Sequence, residues 1–518
     1  MLKMFAASKS SLCLALCFAA LSVLYYRYND FESDDANSLE KNVIKSWANL
    51  ISPPVKQFQK LAVGINSNID IIVPGVALLK ALSILPGEKK NHDALSSLDE
   101  LQETFAHFFS KGSAAERSFM DKLVYQKIIK ATETLNNIEH FVGGNAALMA
   151  TKASNLFPNL KINFVGPVGP ILENLMPKSV KIPKSSRIPQ DEVHLIMEYK
   201  VGEKWGSTSA PVANRFITSH DISNAKIIML EPFFESIAAF QPDLIVLSGL
   251  QIMDSQSPEF FHQRLDTVVS LLQQVPANVP VHLELASMAN RDFVKHIIDK
   301  MFQHGATSVG LNEQELGLLS VVGNGPHQDL IPALSPKVVP TVNSLGLNEQ
   351  ELLFSSEVSD GPHKENVENN HGQPEIHKIS DIMLWLLKNY GRSSKNPTAR
   401  LTRIHFHSLT YHIVAVVESE WSNVEKAVAA GTQVAGLQAC DIPQLNENLV
   451  ELKIPLRFKL HSDDKERDFD ATNPVLSWRK DGYLFVFSPV LVCKRPVKTV
   501  GLGDAISATG LMFSQFNS

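Results

Sequence analysis

Apolar positions along the chain follow two periods. Short β-branched or aromatic runs read as strands: LAVGINSNIDIIV from Leu61, VHLIMEYKV from Val193, DLIVLSGL from Asp243, VPVHLELAS from Val279, RIHFHSLTYHIVAVV from Arg403 and YLFVFSPVLV from Tyr483. Helix-period stretches at 121–139, 259–274, 291–303 and 379–390 lie between several of them. Strands separated by helices imply an α/β fold, a doubly wound and mostly parallel sheet with helices on both faces. HLIMEYKV and the later ANRFITSHD alternate polar and apolar residues, as strands with one wet face do. They predict a smaller sheet that covers the first as a lid, formed discontinuously from about 70–120 and 185–235. Residues 355–375 and 391–399 read as surface loops, and 441–475 as a long polar excursion.

The N-terminal end breaks this pattern. From Ser10 to Tyr26 runs an uncharged apolar stretch behind Lys3 and Lys9, as in a secretory signal peptide or signal anchor over residues 1–27. Residues 28–60 are polar, with Asp30, Glu32, Asp34 and Asp35, and read as a tether to a body spanning 61–518. The leader predicts entry to the secretory pathway, in the endoplasmic reticulum lumen or secreted, with membrane contact only through the leader if it is not cleaved. Cys13 and Cys17 fall within it; Cys440 and Cys493 remain in the body, where an oxidising compartment allows either one disulfide or two buried thiols.

Composition narrows the classes without choosing one. With 518 residues, 44% hydrophobic and 20% charged, the chain has the balance of a globular protein of several domains, or of one large domain with a satellite. Asp and Glu outnumber Lys and Arg by 54 to 48, a formal charge of −6, which argues against a nucleic-acid partner.

One segment occurs twice. Ser308–His327 (SVGLNEQELGLLSVVGNGPH) and Ser344–His363 (SLGLNEQELLFSSEVSDGPH) are offset by 36 residues and identical at 13 of 20 positions. Two copies are too few for a solenoid. A tandem duplication of one strand-loop-helix is expected, of which one copy can occupy one site.

Chemistry concentrates in a few motifs. TVGLGDA, from Thr499, places Gly501 and Gly503 where a backbone turns closely, followed by AISATG, which can start a helix whose amides hold an anion. Asp504 beside that anion site could accept a hydroxyl proton, or simply cap the helix. His282 and Glu284 share a strand face, and Glu284 at a strand's carboxyl end could hold magnesium through water or sit in a surface ion pair. Asn312–Glu315 and Asn348–Glu351 suit a capping box, or place Glu315 or Glu351 near the metal. Asn66, Asn68 and Asp70 alternate along GINSNID and suit a polyol, as does the close backbone approach at Gly143-Gly144-Asn145. His405 and His407 also share a strand face.

In this order, GINSNID, GGNA, HLIMEY, ANRF, HLE, GLNEQE, RIHFH and TVGLGDA resemble the ADP-dependent glucokinase family, animal branch, within the ribokinase-like fold. The resemblance implies transfer of the β-phosphoryl group of ADP to the 6-hydroxyl of glucose. It makes Asp504 the base, the amides from Gly501 to Gly503 the anion hole and Arg215 a phosphate ligand. Asn68, Asp70, Glu116, Gly144, Asn145 and His194 match sugar-contacting positions, and His407, Val500 and Leu502 fall near the nucleotide. One Mg2+ would be positioned by Glu284, by Glu315 or Glu351, and beside Asp504. Glucose and ADP are then the partners of a monomer. Spacing from Glu284 favours Glu315 slightly, and the stronger strand before the second copy favours Glu351. An ATP-using kinase of the same fold and a non-catalytic sugar- or nucleotide-binding protein are the alternatives.

Overall fold

In the computed structural model, residues 39–364 and 373–516 are described, apart from 53, 55–57, 136–137, 286–292, 294–295, 298–299, 301–307, 311–341 and 497–501. The leader, residues 1–27, lies outside them. No described helix is long and apolar enough to cross a membrane.

The described residues open with helix α1 (39–50). Strands β1 (Lys60–Ile65) and β2 (Asn68–Pro74) follow, then β3 (Ala94–Leu95), α2 (Leu98–Lys111), β4 (Ala115–Phe119), α3 (Lys122–Thr132) and β5 (Glu139–Gly143). Next come α4 (Asn145–Leu156), β6 (Lys161–Val165), β7 (Val180–Lys181), β8 (Val193–Tyr199) and β9 (Asn214–Ser219). After them lie α5 (Ile222–Ala225), α6 (Leu230–Phe240), β10 (Leu244–Ser248), α7 (Pro258–Leu272), β11 (Val281–Glu284), β12 (Ser308–Gly310) and β13 (Ser344–Leu347). The last third holds α8 (Glu349–Val358), α9 (Ile376–Tyr390), β14 (Arg403–His407), β15 (Tyr411–Val417), α10 (Val424–Cys440), β16 (Leu476–Lys480), β17 (Tyr483–Pro489) and α11 (Leu502–Phe513).

Two sheets organise these elements. The large one has eleven strands in the order β16-β17-β15-β14-β13-β12-β11-β10-β1-β6-β7, parallel from β14 to β7 and antiparallel beyond β14. Its two faces bury different clusters. Along β1, Ala62 joins Phe233, Leu247, Phe261 and Ile382, whereas Leu61 and Val63 join Phe164, Ala146 and Phe105. Alternate side chains of a strand point to opposite faces, so both faces need a cover, as the sequence predicts.

The lid is a second sheet of six strands, β3-β4-β9-β8-β2-β5, with β8 and β9 antiparallel neighbours. It comes from 68–143 and 193–219 rather than 70–120 and 185–235. The difference has two causes: β5 pairs with β2 as an edge strand, and α6 packs with Ala62, Ile245 and Leu247 under the large sheet.

The expected tether is also corrected. Residues 39–50 form a helix whose Val43 and Trp47 are fully buried against Val414, Val428 and Val486. Trp47 Nε1 donates to Ser488 Oγ at 3.2 Å, and Glu40 Oε1 accepts from Leu452 N at 2.8 Å. Positions 40, 43 and 47 share one helical face. Cys440 and Cys493 are joined by a disulfide that closes a separation of 53 residues.

Both copies of the repeat enter the large sheet. β12 and β13 are adjacent parallel strands with Ser308 opposite Ser344 and Gly310 opposite Gly346, the register of the duplication itself. The strands of both copies therefore lie within the sheet, and β11 and β14 stand three strand spacings apart, about 14 Å.

Two outcomes are expected. Trp47→Ala removes a buried ring and its hydrogen bond, lowering stability by about 3–5 kcal/mol in urea titration; a change under about 1 kcal/mol would mean that α1 does not brace the body. Deletion of residues 308–343 takes out one period and leaves an equivalent strand to pair with β11. The shortened chain is expected to fold with a melting temperature no lower than the parent's, and an insoluble product would refute the side-by-side register.

Candidate active site

The first group of site residues lies on the lid. Arg215, Ile217 and Ser219 of β9 stand opposite Glu198, Ile196 and His194 of β8, and His194 stands opposite Asp70 of β2. Residues paired in this way share a face, so Asn68, Asp70, His194, Glu116 and Arg215 all belong to one surface of the lid sheet. Asn68 Nδ2 donates to Asp70 Oδ1 at 2.7 Å. His194 lies 2.9 Å from Asp221 Oδ2 through Nε2 and 4.0 Å from Glu116 Oε1 through Nδ1. Arg215 is four residues along β9 from the His194 row, about 13 Å. It lines a cleft of about 880 Å³ with Ile72, Glu139, Phe141 and Glu198.

The glycines of GGNA have distinct geometric reasons. A Cβ on Gly143 would fall 2.3 Å from both Asn68 Nδ2 and Asp70 Oδ1. Gly144 has φ +82°, where side chains are strained, and a Cβ there would stand 2.7 Å from Ser67 Cα. The backbone thus passes directly behind the Asn68–Asp70 pair. Asn145 begins α4, and its Oδ1 accepts from Gln251 Nε2 at 3.2 Å.

Asn66 departs from the expected row. The apolar run breaks after Ile65, because β1 belongs to the large sheet and β2 to the lid. Asn66 lies between them, and its Oδ1 accepts from Ala146 N at 3.0 Å. Its carboxamide is therefore structural.

The carboxyl edge of the large sheet provides the second group. Glu284 ends β11 opposite Ser248 and Gly310. It is buried, and its Oε2 is 2.7 Å from His282 Nε2, while Leu283 and Leu285 enter the core. Glu351 is the third residue of α8, directly after β13; Glu315 lies outside the described residues. β14 ends in His405 and His407, whose rings are 6.0 Å apart. Burial pushes the His407 imidazole down to about 4, so that ring is neutral. The same cause holds His405 and His412 well below the ordinary histidine range.

The third group opens α11. Leu502, Gly503 and Asp504 are its first three residues, which puts Asp504 inside the first turn rather than before the helix. Gly503 is exposed, and a Cβ on it would meet nothing within 4 Å. Protein packing therefore does not demand glycine at 503, and its open side suits close approach of a ligand. Val500 and Gly501 lie outside the described residues. The far end of α11 rests on β14: a Cβ on Gly510 would be 3.5 Å from Arg403 Nη2.

Around Ser67, sequence reading missed a buried polar knot. Asn224 Oδ1 accepts from Ser67 N at 3.2 Å, and Asn224 Nδ2 donates to Ser67 O at 2.9 Å and to Asp221 Oδ2 at 2.6 Å. Asp221 Oδ1 also accepts from Asn224 N at 3.0 Å. The only trace in the sequence is Asp221-Ile-Ser-Asn224, an ordinary helix cap.

Electrostatics set His194 apart from the other site histidines. Burial favours its neutral ring, but the hydrogen bond and charge of Asp221, aided by Glu116 and Asp70, outweigh it and lift the imidazole to about 9. The lid site thus carries a positive ring, and the β14 side neutral ones.

Residues 59–337 and 326–513 match the family described as ADP-specific phosphofructokinase/glucokinase conserved region, and the two matched stretches meet between the repeat copies. The chain belongs to this family. It is 43% identical to a Bos taurus protein named ADP-dependent glucokinase, over 92% of this chain and 89% of that one. It is 38% identical to a Caenorhabditis elegans protein named probable ADP-dependent glucokinase, over 97% and 94%. A solved structure titled a hypothetical ADP-dependent phosphofructokinase from Pyrococcus horikoshii shares the fold, with TM-score 0.56 and 17% identity over 89% of this chain and 98% of that one. The α/β fold expected from the sequence, a mostly parallel sheet with a second smaller sheet, is the fold shared with that phosphofructokinase structure.

The raised histidine gives a pH prediction. A folded-state value of about 9, above the ordinary 6.5, means that the His194–Asp221 pair adds stability that is fully present below pH 6.5 and lost as pH rises through 9. The stability gap between the parent and His194→Gln, up to about 3 kcal/mol, should shrink over that interval in urea unfolding. A gap independent of pH would show that the ring carries no charge.

Proposed function

We propose that the chain transfers the β-phosphoryl group of ADP to the 6-hydroxyl of glucose, forming glucose 6-phosphate and AMP. The observation that carries this reading is the lid face: Asn68, Asp70, Glu116 and His194 form a compact set of donors and acceptors suited to a polyol, in a chain of the ADP-specific family. Names of the 43% and 38% identical relatives support glucose and ADP as the pair of substrates.

In this reading Asn68, Asp70, Glu116, His194, Gly144 and Asn145 hold the sugar. Asp504 accepts the 6-hydroxyl proton as the oxygen–phosphorus bond forms and the bond to AMP breaks. The amides from Gly501 to Gly503 take the charge that builds on the transferred group. Arg215 reaches the phosphates from the lid. The neutral His407 suits an uncharged base better than a phosphate, and Val500 and Leu502 would line the same side.

Magnesium fits as a lightly held ion. Among the described residues no group of three or more His, Cys, Asp or Glu could hold a metal. Mg2+ is usually bound by one or two carboxylates with waters and substrate phosphates, and buried Glu284 at a strand end offers one such oxygen donor. Glu351 in the first turn of α8 would be a second, with Glu315 as its counterpart in the first copy and Asp504 as a further oxygen donor. When bound, the ion would supply charge neutralisation on the phosphates.

Secretory-pathway residence, in the endoplasmic reticulum lumen or outside the cell, accords with the apolar leader and with the Cys440–Cys493 disulfide. A monomer suffices, because lid and large sheet come from one chain.

Purified protein is given glucose and Mg2+ with either ADP or ATP, and glucose 6-phosphate and AMP are measured. Product with ADP, little with ATP, and a drop in kcat of roughly 10²–10⁴ in Asp504→Asn are expected. No product, equal use of ATP, or an active Asp504→Asn would each overturn the assignment.

A further inference from the structure

The chain crosses between the two sheets at four places among the described residues: Asn66-Ser67, Gly144, the segment entering β8, and the segment leaving β9. All four are tied at one point. Asn66 Oδ1 holds Ala146 N beyond Gly144. Glu192 Oε1 accepts from Ser223 N at 3.0 Å, and Glu192 O accepts from Ile69 N at 2.8 Å, joining the third crossing to the fourth and the first. Asn224 clamps the N–H and the C=O of Ser67 with one carboxamide. From that clamp a single side chain leads into the sugar-binding face: Asp221 accepts from Asn224 and is bonded to His194. Asn224 is 1% exposed, the Asp221 side chain 3% and Ser67 0%, so these bonds are shielded from competing water.

We propose that Asp221 and Asn224 are positioning residues of this kinase, a relay His194–Asp221–Asn224–Ser67 that aims the sugar-contacting imidazole and locks it to the crossing from which the lid springs. Asp221 divides its two oxygens: Oδ1 caps α5, and Oδ2 meets His194 Nε2 and Asn224 Nδ2. The imidazole is thereby left with Nδ1 turned towards Glu116 and the sugar. Asn224 in turn fixes Ser67, the residue before Asn68 on the same sugar-contacting face. Glucose bound at His194 and Asn68 therefore presses on both ends of one chain of buried hydrogen bonds, and the lid orientation follows from sugar occupancy. ADP contacts none of these residues in the arrangement proposed above. The relay rests on the reading of His194 as a sugar contact, and its test separates the two.

Steady-state kinetics are measured for the parent, His194→Gln, Asp221→Asn and Asn224→Ala, with glucose and ADP varied separately. Asp221→Asn nearly preserves volume and keeps the cap acceptor, so it serves where Asn224→Ala folds poorly. Each variant is expected to raise KM for glucose roughly tenfold or more, the scale of a lost hydrogen bond to a charged group, with KM for ADP within about twofold. A role in stability alone would instead lower the melting temperature and leave both KM values together. In Asp221→Asn the pH at which glucose KM begins to rise should also fall from near 9 towards 6.5, because the hydrogen bond and charge of Asp221 are lost while burial still favours the neutral ring; Glu116, Asp70 and Glu192 remain beside it. If His194→Gln leaves glucose KM unchanged, the sugar-site reading fails and takes the relay with it. If His194→Gln raises glucose KM while both Asp221→Asn and Asn224→Ala leave it at the parent value, the relay alone is wrong.

Discussion

Everything in the site depends on how a six-stranded lid is attached to an eleven-stranded sheet through a two-residue step. β1 ends at Ile65 and β2 begins at Asn68, so the backbone at Asn66 and Ser67 leaves one sheet and enters another. That step is buried, and a buried backbone without its ladder partners must bond elsewhere. Asn224 provides the partners for the N–H and C=O of Ser67, and the Asn66 side chain accepts from Ala146 N. Gly144 and Gly249 stand beside the step at positive φ, and a Cβ on either would strike Ser67 or Asn66.

The same attachment divides the labour of the site. The groups proposed to face the sugar belong to the lid, whereas Glu284, His407 and the start of α11 belong to the carboxyl edge of the large sheet, where open α/β sheets bind ligands. Local charge follows the division. Asp221 favours a positive imidazole at His194 on the lid, and desolvation a neutral one at the end of β14. Phosphoryl transfer relies on positioning and charge stabilisation, so residues that set the lid's attachment bear on the chemistry without touching the reacting atoms. The duplicated strand adds width to the sheet between Glu284 and β14.

Strand runs, the lid pair HLIMEYKV and ANRFITSHD, and the glycines of GGNA were legible because each is a local pattern with one physical meaning. Other features were not. In LAVGINSNIDIIV the apolar run breaks at Asn66-Ser67-Asn68, but nothing local marks that break as a change of sheet; it is fixed by partners remote in sequence, Ala146 N on Asn66 and Asn224 on Ser67. Helix α1 follows an acidic stretch and reads as part of a tether, but Val43 and Trp47 are buried, Leu39, Ile44 and Leu50 pack beside them, and Glu40 bonds Leu452 N. Asp221 and Asn224 look like a routine cap until the fold brings Ser67 to them across 157 residues. For the repeat, spacing pointed to one copy and strand strength to the other; the sheet admits the strands of both, with Glu351 in the helix that follows the second.

By itself, the sequence determined the layered α/β architecture, the existence of a lid, and the kinds of group available for phosphoryl transfer, because periodicity and motif chemistry act over a few residues. Tertiary structure decided which of those groups share a face, where the lid begins and ends, and which histidine holds a proton. These depend on distances between residues remote in sequence and on the water excluded around them, and neither quantity is written in any local stretch of chain.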